Sequence, residues 1–118
     1  MITAVDTNVL IDIFGGDSKF GKRSSQALRR CMQEGTVYAC EVVFAETATV
    51  FSDQKVFLNA IHTLGIEFSA ILQETSLVAA EAWRQYRQAG GKRERVVADF
   101  LIGSHALTQS ERLGSVKE

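Results

Sequence analysis

Short apolar segments alternate with longer segments of helical periodicity along this chain. β-branched and aromatic residues predict strands at 2–5, 36–40 and 66–68. Apolar spacing and terminal glycines predict helices at 8–14, 24–34, 42–51, 57–64, 79–88 and 96–107. The last helix is apolar on nearly every side, which predicts burial, and no strand is predicted after it. Strands separated by helices indicate an α/β fold, a three-layer α/β/α domain with a small central parallel sheet.

Length and composition narrow the class of protein. The 118 residues fit one domain, 1–118, and the 46% apolar and 23% charged residues exclude a disordered chain. Neither a membrane-spanning apolar run nor a signal peptide is recognisable, so we expect a cytoplasmic protein. Cys31 and Cys40 are expected to be free thiols. A net charge of -1 argues against nucleic-acid binding through overall charge, but it allows a local basic patch.

Three carboxylates lie in apolar surroundings. Asp6 follows the first strand, Glu46 lies in VVFAETATVF, and Asp99 lies in VVADFLIGSHAL. Because a lone buried charge is costly, each of them needs compensation. Each one could point to solvent, cap a helix or meet an arginine; alternatively, all three converge on a divalent metal.

In the predicted fold, the three carboxylates could converge at the carboxyl edge of the sheet. Asp6 stands at the carboxyl end of a strand, where open parallel sheets form their sites, and Asp99 near a helix start could lean toward the same end. Carboxylate oxygens select Mg²⁺ or Mn²⁺, and isolated His62 and His105 do not provide a zinc-binding pattern. Such a metal suits phosphoryl chemistry, so the predicted substrate is a phosphate ester.

The segments AVDTNVLID, FAETATVF and VADFLIGSHAL, in this order, resemble the PIN domain nucleases, most closely the VapC-type toxin ribonucleases of toxin–antitoxin pairs. The resemblance covers residues 1 to about 113. It implies that Asp6, Glu46 and Asp99 are the catalytic metal ligands and that Thr7 and Asn8 support them. It further implies a Mg²⁺-dependent endoribonuclease, a cognate antitoxin that inserts a segment into the acidic groove, and a homodimer.

The end of the chain departs from the family pattern. Family members continue after the last helix into a short strand, a Thr-Arg-Asp type turn with a fourth acid, and a final strand. Here ERLGSVKE carries Ser115 and Lys117 where the hydroxyl and acid of the turn are expected. We therefore expect a C-terminally shortened domain without its last strand and with a sheet edge uncovered.

Two other functions remain open from the sequence. The first is a catalytically impaired PIN-fold protein that binds only the antitoxin or RNA, because the fourth acid is absent. The second is a phosphatase of the aspartyl-phosphate type. That chemistry usually needs a second acid two residues after the nucleophile, where this chain has Asn8.

Other polar and aromatic residues have two interpretations each. Basic residues in two clusters are candidates for binding RNA phosphates, or else they are solvated: Lys92, Arg93 and Arg95 before Asp99, and Lys19, Lys22 and Arg23 in a predicted loop. Trp83 and Tyr86 could stack on bases, although their helical spacing favours the core. Asp12 and Asp17 could extend the acidic site, but Asp12 is expected on the polar side of its helix.

Overall fold

The computed structural model describes residues 1–16, 19, 21–91 and 97–114. Its elements follow the alternation expected from the sequence. In chain order they are β1 (Ile2–Val5), α1 (Thr7–Phe14), α2 (Gly21–Glu34), β2 (Thr36–Ala39), α3 (Glu41–Ala48), α4 (Gln54–Leu64), β3 (Glu67–Phe68), α5 (Gln73–Gln88), α6 (Val97–Gln109) and β4 (Arg112–Gly114). None of the described helices combines the length and apolar composition needed to cross a lipid bilayer.

The four strands form one sheet in the order β3-β2-β1-β4, and every pairing is parallel. This confirms the predicted α/β class and the small central parallel sheet. The apolar pattern did not predict β4, which pairs with β1 so that Val5 lies opposite Gly114. Residues 115–118, where the missing turn and last strand were expected, lie outside the described residues.

The direction of the crossovers places helices on both faces of the sheet. The chain steps from β1 to β2 to β3 in one direction and then returns past β1 to β4. Right-handed connections therefore put α1 to α4 on one face and α5 and α6 on the other. Helix α2 touches β2 and β4, α6 touches β1 and β4 and packs against α5, and α3 and α6 also contact each other.

The main apolar core lies under α1 to α4. Its most buried members include Leu10 of α1, Val37 of β2, Val43 of α3 and Ile61 of α4. Phenylalanine rings extend this core in edge-on or tilted contacts from Phe14 through Phe51, Phe57 and Phe44 to Phe68. This packing holds α1 and α3 in place at the ends of the strands that precede them, β1 and β2.

One boundary differs from the sequence prediction in a way that matters for charge. Helix α2 begins at Gly21 and not at residue 24, so Lys22 and Arg23 belong to its first turn and are exposed. Helix α3 ends at Ala48 and not at residue 51. Gly65 ends α4 as predicted, in the left-handed conformation (φ 78°) that glycine adopts without strain.

Candidate functional site

Asp6 stands between the end of β1 and the start of α1, at the carboxyl edge of the sheet. It is the N-cap of α1, where its Oδ1 accepts a long hydrogen bond (3.4 Å) from the backbone N–H of Asn8. Its own N–H donates to the carbonyl of Gly114 over 3.2 Å, which ties it to the end of β4. The side chain is half-buried. The sequence predicted that the negative charge of Asp6 needs compensation, and the helix cap contributes part of it.

A hydrogen bond between side chains joins the start of α1 to α3. The buried Thr7 donates its hydroxyl to Oε1 of Glu46 over 2.7 Å, although the two residues are 39 positions apart. The side chain of Glu46 is exposed, so solvent and Thr7 compensate its charge. A carboxylate has lone pairs for further partners, so this bond positions Glu46 and leaves it able to bind a cation.

Asp99 lies in the first turn of α6 and is exposed. Gly103 and Leu107 follow at intervals of four residues and are exposed as well, with Leu107 at 76%. These three residues form one strip along the helix. The prediction that α6 is buried on nearly all sides is therefore wrong, because glycine and leucine concealed an exposed face in the sequence pattern.

The described side chains do not form a complete metal site. No group of three or more His, Cys, Asp or Glu residues in the described ranges is arranged to hold a metal ion. The structure links Glu46 to Thr7, the neighbour of Asp6, but does not gather Asp99 with them into such a group. The donor chemistry still fits a hard cation, since all three candidates are carboxylates and two are exposed.

Asp12 is buried, in contrast to the prediction that it lies on the polar side of α1. It is only 4% exposed, and its Oδ2 accepts a hydrogen bond of 3.1 Å from the hydroxyl of Ser24, which is itself fully buried in α2. The bond is therefore a buried connection between two helices. No local sequence signal pairs these two residues, and Asp17, the other candidate acid in this region, lies outside the described residues.

His105, for which the sequence indicated only that it has no zinc-binding pattern, is a second buried titratable group. It is 1% exposed, and its Nε2 lies 3.1 Å from the hydroxyl oxygen of Ser69, just after β3. Burial lowers the pKa of His105, and the negative charge of Glu41 opposes part of that effect. The neutral imidazole is thus favoured, and it bonds the α5–α6 layer to the end of β3.

The cysteines are free, as expected. Cys40 is buried at the N-cap of α3, and burial raises the pKa of its thiol more than the nearby backbone N–H groups of Val43 and Val42 lower it. A buried thiol held in its protonated form is a poor nucleophile or metal ligand. This chemistry leaves the carboxylates as the stronger candidates for a functional site.

The structure describes the aromatic candidates for RNA binding, but it does not describe the basic residues before Asp99. Lys92, Arg93 and Arg95 lie outside the described residues, so their proposed RNA contacts stay predictions. Trp83 and Tyr86 are half-buried and not core residues. The ring of Tyr86 contacts Phe100 with centroids 5.5 Å apart, which brings the C-terminal part of α5 to the first turns of α6.

Comparisons with known proteins place this arrangement in a family. The family model of the PIN domain matches residues 3–113. No curated protein sequence matches the chain. Solved structures of similar fold include two toxin-system proteins. They are VapBC2 from Rickettsia felis, bound to a promoter DNA fragment (18% identity, TM-score 0.73, covering 96% of this chain and 86% of that one), and VapC20 from Mycobacterium tuberculosis, a Sarcin-Ricin loop cleaving toxin (13% identity, TM-score 0.67, covering 98% and 89%).

Proposed function

Because the chain belongs to the PIN domain family, we propose that it is a Mg²⁺-dependent endoribonuclease of the VapC type, with Asp6, Glu46 and Asp99 as metal ligands. The observation that carries this proposal is the Thr7–Glu46 hydrogen bond. It brings an acid from α3 to the edge of the sheet where Asp6 ends β1. Parallel sheets place their sites at this edge.

Each of the proposed ligands has a distinct structural support. Asp6 is held as the N-cap of α1 by the backbone N–H of Asn8, and Thr7 fixes one oxygen of Glu46. Asp99, in the first turn of α6, is favoured by the dipole of its helix. When bound among these carboxylates, Mg²⁺ supplies an activated water and neutralises charge that develops on the scissile phosphate. The part of Asn8 is to donate its backbone N–H to Asp6.

The proposed substrate is the RNA phosphodiester, and the proposed partner is a cognate antitoxin. The VapC20 structure is that of a Sarcin-Ricin loop cleaving toxin, and the VapBC2 structure is bound to a DNA fragment from its promoter; both are similar in fold to this chain. An acidic edge made by Asp6, Glu46 and Asp99 attracts a basic side chain as well as a cation, so an inserted antitoxin segment would compete for the same carboxylates. We further propose a homodimer that acts in the cytoplasm, where such RNA substrates are found.

Cleavage of a labelled RNA by the purified chain tests the proposal. We expect cleavage in Mg²⁺, none in EDTA, and a loss of about a hundredfold or more in Asp6→Asn, Glu46→Gln and Asp99→Asn. Glu34→Gln is a matched control, because Glu34 precedes β2 at the amino end of the sheet and is exposed. It should cleave like wild type.

Metal binding is measured separately by titrating Mn²⁺ into wild type and Asp6→Asn. Equal weak binding by both proteins, or cleavage that resists EDTA, would overturn the metal site. RNA binding without cleavage by the wild-type chain would favour the alternative of a catalytically impaired binding protein.

A further inference from the structure

A groove with two arginines and the single tryptophan runs along the exposed side of α5. It has a volume of about 490 Å³ and is lined by Ala80, Trp83, Arg84, Arg87 and Gln88. These residues recur at intervals of three and four, so they share one side of the helix. Among the described residues, the lining therefore combines an aromatic ring with positive charge and includes no acid.

The indole ring is already arranged as a stacking surface. The guanidinium carbon of Arg87 lies 5.3 Å from the centre of the Trp83 ring, a cation–π contact. Trp83 is half-buried, so one part of the ring is held by the protein while another part borders the groove. A flat, electron-rich ring next to a guanidinium is the kind of surface on which an unpaired base stacks.

Arg84 adds a second positive charge that can be redirected. It makes an ion pair of 3.3 Å with Glu81, but the two side chains are 66% and 55% exposed. Ion pairs of this exposure contribute about 1 kcal/mol or less. A phosphate, which accepts two N–H donors at once, therefore competes well with Glu81 for this guanidinium.

The location of the groove connects it to the acidic site. Tyr86, on the neighbouring side of α5, contacts Phe100, and Phe100 is the residue after Asp99. Arg87 and Gln88 lie at the same level of α5 as Tyr86. The C-terminal part of α5, which carries one end of the groove, therefore packs near the first turn of α6, where the proposed ligand Asp99 lies.

We propose that this groove binds single-stranded RNA: a base stacks on Trp83 in place of the Arg87 guanidinium, and Arg84 and Arg87 bind the flanking phosphates. The assignment of RNA as ligand rests on the proposed ribonuclease function. The groove then determines how a strand approaches Asp99 and which unpaired segments are accepted. The proposal does not depend on Lys92, Arg93 or Arg95, which lie outside the described residues.

The only tryptophan in the chain reports on the groove directly. The full-length Asp6→Asn protein is used in two titrations. In the first, the anisotropy of a fluorescein-labelled uridine octamer measures RNA binding. In the second, the indole emission of Trp83 is recorded while unlabelled octamer is added. We expect saturable quenching of Trp83 at the concentrations that give binding, and no quenching by an abasic ribose-phosphate octamer. Trp83→Leu should weaken binding about tenfold. Arg87→Gln should weaken binding and lower the slope of log K against log salt by about 0.7.

Two controls match these variants. Arg29→Gln removes an exposed arginine from α2, and Phe68→Leu removes an exposed aromatic ring from β3; neither should change RNA affinity. Unfolding curves of all variants establish that each protein is folded. RNA binding without quenching, unchanged binding in Trp83→Leu, or equal quenching by the abasic chain would overturn the stacking site. Quenching by an acidic peptide but not by RNA would overturn it in favour of a protein partner.

Cleavage of the same RNA by the wild-type chain separates this inference from the function on which it rests. Cleavage that Trp83→Leu leaves unchanged in KM overturns the groove alone. Stacking in the groove without any cleavage overturns the ribonuclease function alone. Cleavage with a KM raised about tenfold in Trp83→Leu supports both.

Discussion

The hydroxyl of Thr7 donates a hydrogen bond of 2.7 Å to Oε1 of Glu46 and so connects the first turn of α1 with α3. Thr7 is buried, whereas Glu46 is exposed. The geometry of the bond is therefore determined by the buried partner, which has one packed position. Thr7 acts as a positioning residue for an acid that would otherwise sample several rotamers.

Replacing Thr7 by valine should lower RNA cleavage about tenfold or more while it changes the free energy of unfolding by less than about 1 kcal/mol, because valine keeps the shape and loses only the donor. Thr7→Ser retains the hydroxyl and should restore most of the activity. Rates of RNA cleavage and urea unfolding curves measure the two effects. Full activity in Thr7→Val would show that Glu46 does not depend on this bond.

The hydrogen bond between Ser24 and Asp12 should contribute to stability. Ser24→Ala leaves a buried carboxylate with one donor fewer, so we expect a loss of about 1–3 kcal/mol in the free energy of unfolding. Ser25→Ala is the matched control, since the neighbouring serine is half-buried, and it should change stability by about 0.5 kcal/mol or less. Equal unfolding midpoints for the two variants would contradict this assignment.

Removing the buried, unpaired hydroxyl of Thr47, the neighbour of Glu46, should raise stability, whereas Ser24→Ala should lower it. Oγ1 of Thr47 is buried and has no hydrogen-bond partner in the described part of the chain. Thr47→Val removes that polar atom at nearly constant volume and should raise the free energy of unfolding by about 1 kcal/mol. Thr49→Val is a useful comparison, because Thr49 donates to the carbonyl of Glu46 over 2.6 Å and should lose stability when that bond is removed. A lower melting temperature for Thr47→Val would indicate a hidden partner for its hydroxyl.

The sequence predicted most of the fold because the signals for β1, β2 and the helices are local: β-branched runs, apolar periodicity and terminal glycines. It missed β4, whose three residues form a strand only because β1 presents an edge to them. It also misplaced Asp12, since the partner that accounts for its burial, Ser24, belongs to another helix. Pairings between distant segments leave no periodic pattern in either segment.

The candidate site was predictable in its residue types but not in its geometry. Apolar neighbours singled out Asp6, Glu46 and Asp99, yet the sequence overestimated their burial, because Glu46 and Asp99 are exposed. The Thr7–Glu46 bond has no signature in the sequence, whereas the spacing of four residues between Trp83 and Arg87 on a predicted helix is a local signal for their contact. The spacing of Trp83 favoured the core, whereas its position beside the groove depends on how α5 packs on α6.

Stability should depend on pH through His105. Because burial lowers its pKa below the ordinary value of 6.5, the unfolded chain takes up a proton at a pH where the folded protein does not. The stabilisation is thus fully present above about pH 7 and decreases as the pH falls through 6.5 toward the lower pKa of the folded state. His105→Gln should be less stable than wild type at pH 8 and show a weaker decline between pH 7 and 5. The control is His62→Gln, which removes an exposed histidine from α4 and should keep the decline that His105 causes. Urea unfolding at several pH values measures both variants, and parallel curves for wild type and His105→Gln would exclude His105 as the source of the dependence.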